Sequence, residues 1–175
     1  MATAIIGLSG FALPMAEAFV AIALGLAMLA ITATDLAEFR IPDWLSLPAI
    51  CAGLLASGRF LNPNTDDLIA YPHAIAAVMG GGSLWAIAAL YARLRGHDGL
   101  GFGDVKLAAA AGAWVGPDLL SLVVLLASSS ALVAVLGTAW LRGQPVDLKG
   151  RVPFGAFLAP SIWIVWVIAA TGLAT

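Results

Sequence analysis

Two aspartates stand at the edges of long apolar runs in a chain of 175 residues of which only 10% are charged: Asp35 in TDLAEFRIPDWL (34–45) and Asp104 in GFGDVKL (101–107). A charge within or beside a membrane-length apolar run is costly enough to need a reason. For a single acid the ordinary reason is a helix cap or an interfacial charge. Two acids brought together offer a second one. Neighbouring carboxylates resist ionising at the same time, so one keeps a proton while the other acts as a base. The base takes a proton from water, the acid polarises a peptide carbonyl, and amide hydrolysis follows with neither metal nor cofactor. Gly101 and Gly103 suit a backbone that bends tightly or admits a substrate strand. Asp104 opens a helix, facing the positive end of its backbone dipole.

The elements that must position these residues are membrane helices. The chain is 62% hydrophobic and its mean hydropathy is +1.01, whereas soluble domains are roughly 45–50% apolar. The net charge of −2 says little, and no feature points to nucleic acid. The single cysteine, Cys51, excludes an internal disulfide and reads as a packing residue. His73 and His97 lack metal-ligand spacing, so no metal is expected. The first ten residues, MATAIIGLSG, carry no Lys or Arg, which argues for a retained helix over a cleaved signal. Apolar runs predict about six transmembrane helices, at about 12–34, 44–59, 72–92, 104–117, 119–141 and 153–173. Val105 to Leu141 is almost continuously apolar. It would run to about 55 Å as one helix, so GPD at 116–118 is expected to break it, with Asp118 as a possible cap. The expectation is an all-α, polytopic bundle in one domain, 1–175.

Basic residues set the orientation. Arg40, Arg93, Arg95, Lys106, Arg142, Lys149 and Arg151 fall on one side of the six-span arrangement. Arg59 alone falls on the other, with Asp66, Asp67 and Asp118. This puts the basic loops in the cytoplasm and both termini outside. Asp35 then closes the first helix, and Asp104 opens the fourth, at the same cytoplasmic boundary. The two carboxylates share a depth, although shared depth alone leaves their contact open.

Three segments stand out, GFGDVKLAAAAGAWVG (101–116), TDLAEFRIPDWLSLP (34–48) and RVPFGAFLAP (151–160), and in chain order they follow a family pattern. Together they resemble the GxGD signature, the first aspartate segment and the Pro-Phe-Gly segment of the type IV prepilin peptidases. The resemblance implies a bacterial inner-membrane aspartic endopeptidase that removes the short basic leader of prepilins or pilin-like proteins. It implies Asp35 and Asp104 as the catalytic pair, with Gly101 and Gly103 shaping the loop of Asp104. Lys106 is left to pair with a substrate carboxylate or to tune a catalytic acid. Pro42 reads as a helix starter, while Pro153, Phe154 and Gly155 set the entry of the last helix. The family often has Pro where this chain has Ala156, a change expected not to touch the chemistry. The chain is similar to the short form associated with Flp/tight-adherence pili. No bound S-adenosylmethionine and no other cofactor is expected, and N-methyltransferase activity is not.

A substrate with one apolar helix and a basic leader would present its cleavage point at the depth of the aspartates, entering laterally from the bilayer. GGGS (80–83) allows close helix packing or bending for this. Two other readings of the residues stand beside the peptidase. One is a small proton- or cation-coupled transporter, and the other is a non-catalytic scaffold for pilus or secretion assembly.

Overall fold

A computed structural model describes residues 15–57, 70–95, 101–143 and 152–172. These residues form five helices: α1 (Met15–Glu38), α2 (Asp43–Leu55), α3 (Ala70–Arg95), α4 (Phe102–Arg142) and α5 (Gly155–Ala170). No strand occurs among the described residues. Glu17–Glu38, Tyr71–Leu94 and Phe102–Arg142 are long and apolar enough to cross a membrane, whereas α2 and α5 are shorter apolar helices. The six expected spans therefore appear as five helices, three of them of membrane length. Several residues used for the orientation, namely Arg59, Asp66, Asp67, Lys149 and Arg151, lie outside the described residues. So do His97 and the N-terminal ten.

The first helix continues past its expected end at 34 because nothing in TDLAE stops it. The hydroxyls of Thr32 and Thr34 donate back to the carbonyls of Met28 and Ala30, which keeps them from competing for the backbone ahead. Asp35 is thereby placed inside the last turn of α1. α2 begins after Pro42, whose φ of −66° and ψ of 140° place it as the cap, one residue earlier than a first helical position. The face of α2 that is buried comprises Ser46, Ala49 and Gly53. Cys51 lies off that stripe and is exposed on the protein surface, contrary to the packing role expected for it.

The two expected spans 104–117 and 119–141 form the 41 residues of α4, interrupted at Gly116, where φ is 72° and ψ is −177°. This left-handed φ is one that glycine adopts without a Cβ clash. Pro117 begins the second part, a position where its missing N–H matters least, and Asp118 is exposed in that first turn with no capping bond recorded. Ala108, before the break, and Leu120, after it, both lie against Gly80. Twelve residues of straight helix would separate their levels by about 18 Å, so the chain folds back at Gly116.

Pro117 also removes the N–H that would have reached the carbonyl of Ala113. His73 of α3 supplies the replacement: its Nδ1 lies 3.0 Å from the Ala113 oxygen, and its ring packs over Gly116. Since the carbonyl only accepts, Nδ1 carries the hydrogen. His73→Phe is expected to leave that carbonyl without a donor and to destabilise the protein by about 1–3 kcal/mol. A thermal melt in detergent checks this, and a midpoint equal to wild type would remove the assigned role.

α3 meets the first part of α4 at backbone distance. A β-carbon on Gly80 would lie 2.5 Å from the Ala108 oxygen, and one on Gly112 would overlap the Ala76 carbonyl. Gly80 and Gly81 of GGGS thus serve close packing, whereas Gly82 meets nothing. Trp114 joins the other layers: its indole N–H donates to the Ala49 oxygen at 2.8 Å, and its ring stands edge-on to Trp166 at 5.7 Å. Trp163 of α5 donates to the Ala21 oxygen of α1 at 2.8 Å and covers Gly25. The core between these contacts holds Met28, Ile31, Leu107, Leu158 and Ile162, all essentially buried.

Candidate active site

The two aspartates arrive from distant parts of the chain and both are withdrawn from the surface, Asp35 at 5% and Asp104 at 9% exposure. α1 ends one turn beyond Asp35 in a left-handed residue, Phe39, with φ of 52°. A position usually given to glycine is here held by an aromatic residue. The Phe39 N–H donates to the Asp35 carbonyl at 2.9 Å. The turn sends the chain back so that Ile41 is buried.

Asp104 lies in the first turn of α4, which is capped by Gly101 in extended conformation. The Asp104 N–H donates to the Gly101 carbonyl at 3.1 Å. Gly103 does not make a left-handed bend; it admits a neighbour. A β-carbon there would lie 2.8 Å from the Ile41 β-carbon. Gly101 has more room, since the nearest atom to its added β-carbon is Asp104 Oδ2 at 3.6 Å.

The start of α5 joins the two acids. The β-carbon position of Gly155 lies 3.0 Å from Asp35 Oδ2 and 3.1 Å from Asp104 Oδ1. The two oxygens therefore flank one point and are separated by no more than the sum of those lengths. The Gly155 backbone interacts with both carboxylates, and the Ala156 N–H donates to Asp35 Oδ2 at 2.8 Å. The open end of a helix, where backbone N–H groups lack partners, is thus turned toward the acids. Pro153 and Phe154 lead into this end: Ala156 and Leu158 return hydrogen bonds to the Pro153 and Phe154 carbonyls.

Ala156, expected to stand apart from the chemistry, has its amide as a direct partner of Asp35. A proline here would have no hydrogen to give. Ala156→Pro, in a first helical turn that tolerates proline, is expected to leave the fold intact and lower activity about tenfold, the scale of one hydrogen bond to a charged group. Activity at the wild-type level with equal expression would show that this bond is dispensable.

Lys106 does not reach the aspartate pair. Its Nζ lies 2.5 Å from Asp43 Oδ1 and 5.2 Å from the centre of the Phe102 ring. An apolar groove of about 500 Å³ is lined by Ser128, Ala131, Leu132, Val135 and Leu136 of α4 together with Val152 and Phe154. The backbone donors of α5, the wedge Ile41 and the partner Asp43 were not singled out by residue type. The glycine in Pro-Phe-Gly was the available signal, since a residue without a side chain at a helix start is where something else comes close.

The sequence has counterparts among known proteins. Residues 22–137 match the type IV leader peptidase family. A prepilin leader peptidase/N-methyltransferase of Xanthomonas campestris is 37% identical over 152 residues, 86% of this chain and 50% of that protein. Proteins of the same name from Pseudomonas aeruginosa and Burkholderia pseudomallei are 37% and 38% identical, over 78% and 83% of this chain and 45% of each relative. The chain spans about half the length of these curated relatives. No solved structure matches. On the family match and the identities over most of its length, the chain belongs to the type IV leader peptidase family.

Proposed function

We propose that the chain is a membrane aspartic endopeptidase that removes the leader of prepilins or pilin-like precursors, with Asp35 and Asp104 as its catalytic pair. The observation that carries this reading is the convergence of two buried carboxylates, 69 positions apart in sequence, on the side-chain-free face of Gly155. In the reaction, one carboxylate takes a proton from water as the water oxygen attacks the scissile carbonyl carbon. The other, protonated, donates to the carbonyl oxygen. Collapse of the tetrahedral intermediate breaks the C–N bond: the departing amine takes up the proton held by the base, and a hydroxyl of the intermediate returns its proton to the other carboxylate as the C=O bond re-forms.

The reading extends to topology. The fold-back at Gly116 divides α4 into two spans, which with α1, α2, α3 and α5 makes six in a single domain of the bacterial inner membrane. The aspartates then lie at the cytoplasmic boundary, where a precursor's basic leader is retained by the positive-inside rule. The apolar groove lined in part by Phe154 supports an approach by the precursor's apolar segment from the bilayer.

Co-expression with a pilin precursor tests the proposal, with leader removal followed by intact mass. The wild-type chain is expected to release the leader. A protein present in the membrane that leaves the precursor whole would overturn the reading, and proton flux without processing would favour a transporter.

A further inference from the structure

We propose that Lys106 and Asp43 form a positioning latch that sets the registry of the two aspartate-bearing segments; this rests on the peptidase reading above. Asp35 and Asp104 are on different helices, and besides the start of α5 the connector 39–42 runs beside both. Its residue Ile41 sits against both Gly103 and Gly155. A small shift of the connector therefore changes the relation between the turn carrying Asp104 and the α5 amides that hold Asp35.

The connector is anchored at one end by α1, through the Phe39 to Asp35 backbone bond. At its other end it runs into Asp43, the first residue of α2. Asp43 is bound there by Lys106, which lies two residues beyond Asp104. The pair thus closes a circuit: Asp35, connector, Asp43, Lys106, Asp104. Lys106 is only 21% exposed whereas Asp43 is 66% exposed, so the ammonium is the fixed partner. Phe102, one helical turn before Lys106, holds it from the other side. A lysine–carboxylate pair with one partner exposed adds little to overall stability, and its effect lies in geometry.

The test uses the full chain in proteoliposomes with a purified prepilin. Cleavage by the wild-type chain is measured first, so a failure of the peptidase reading shows as no cleavage before any variant is compared. Lys106→Met and Asp43→Asn are each expected to lower kcat about tenfold with KM changed less than twofold. The exchange Asp43→Lys with Lys106→Asp restores the pair in reverse and is expected to recover at least half of the lost rate, as is Lys106→Arg alone. Wild-type kcat in Asp43→Asn would overturn the latch, as would a reversed pair no better than the single variants. A rise in KM confined to Lys106→Met would assign the lysine to the substrate and overturn it equally.

Discussion

Asp104→Asn is expected to abolish leader removal, with a loss of about 10²–10⁴-fold, the range in which a positioned acid or base contributes. The substitution changes volume little and removes the ability to hold or exchange a proton. Asp35→Asn is expected to do the same. Its amide oxygen still accepts from the Ala156 N–H, so the contact with α5 survives and only the proton chemistry is lost. Membrane levels of both variants, read by immunoblot, should equal wild type. Normal processing by either variant would remove the pair from the mechanism, because the proposed reaction needs one carboxylate as base and the other as acid.

Gly155→Ala carries the second large effect. The added methyl group would occupy the point that both carboxylates flank, 3.0 Å and 3.1 Å from their oxygens, and 2.5 Å from Ile41 Cδ1. Displacement on the scale of 1 Å at a reacting centre costs about 10²-fold, and that is the loss expected in cleavage rate. The fold should persist. Ile41 meets the new methyl with the flexible end of its side chain, and alanine gains about 0.5–1 kcal/mol over glycine in a helix. Addition of Ile41→Val removes the contact with Cδ1 and leaves the crowding of the carboxylates. The double variant should therefore remain as slow as Gly155→Ala. Recovery of the rate would show that the methyl group acts through Ile41 and not on the acids.

The parts legible in the sequence were those written in residue type. Asp35 and Asp104 stand out because acids are rare in this chain, and the break in α4 is announced by Gly116 and Pro117. The parts not legible are those made by backbone and by path. Every residue but proline has an amide, so nothing in the letter for Ala156 says that its N–H faces a carboxylate. The partner of Lys106 depends on where a left-handed Phe39 sends the connector, and an aromatic residue is a poor advertisement for a turn that glycine usually makes. Likewise Cys51 is apolar enough for a core, and only the Ser46, Ala49, Gly53 stripe decides that it faces outward. The short helices are a further case. α2 and α5 have 13 and 16 residues, and apolar runs alone do not tell where a helix stops within oily sequence.

The glycine contacts between α3 and α4 also bear on motion. Asp104 is built onto a pair of helices whose backbones touch at Gly80 and Gly112, and backbone in contact with backbone has no side-chain layer through which to slide. Asp35 belongs instead to α1, which leans chiefly on α5 through the side chain of Trp163, bonded to the Ala21 carbonyl. The two acids are thus carried on helices packed in different ways, and the start of α5, at Gly155, lies against both. Any change in how α1 sits on α5 would therefore be felt as a change in the spacing of the two acids, whereas the α3–α4 contact leaves Asp104 little room to follow.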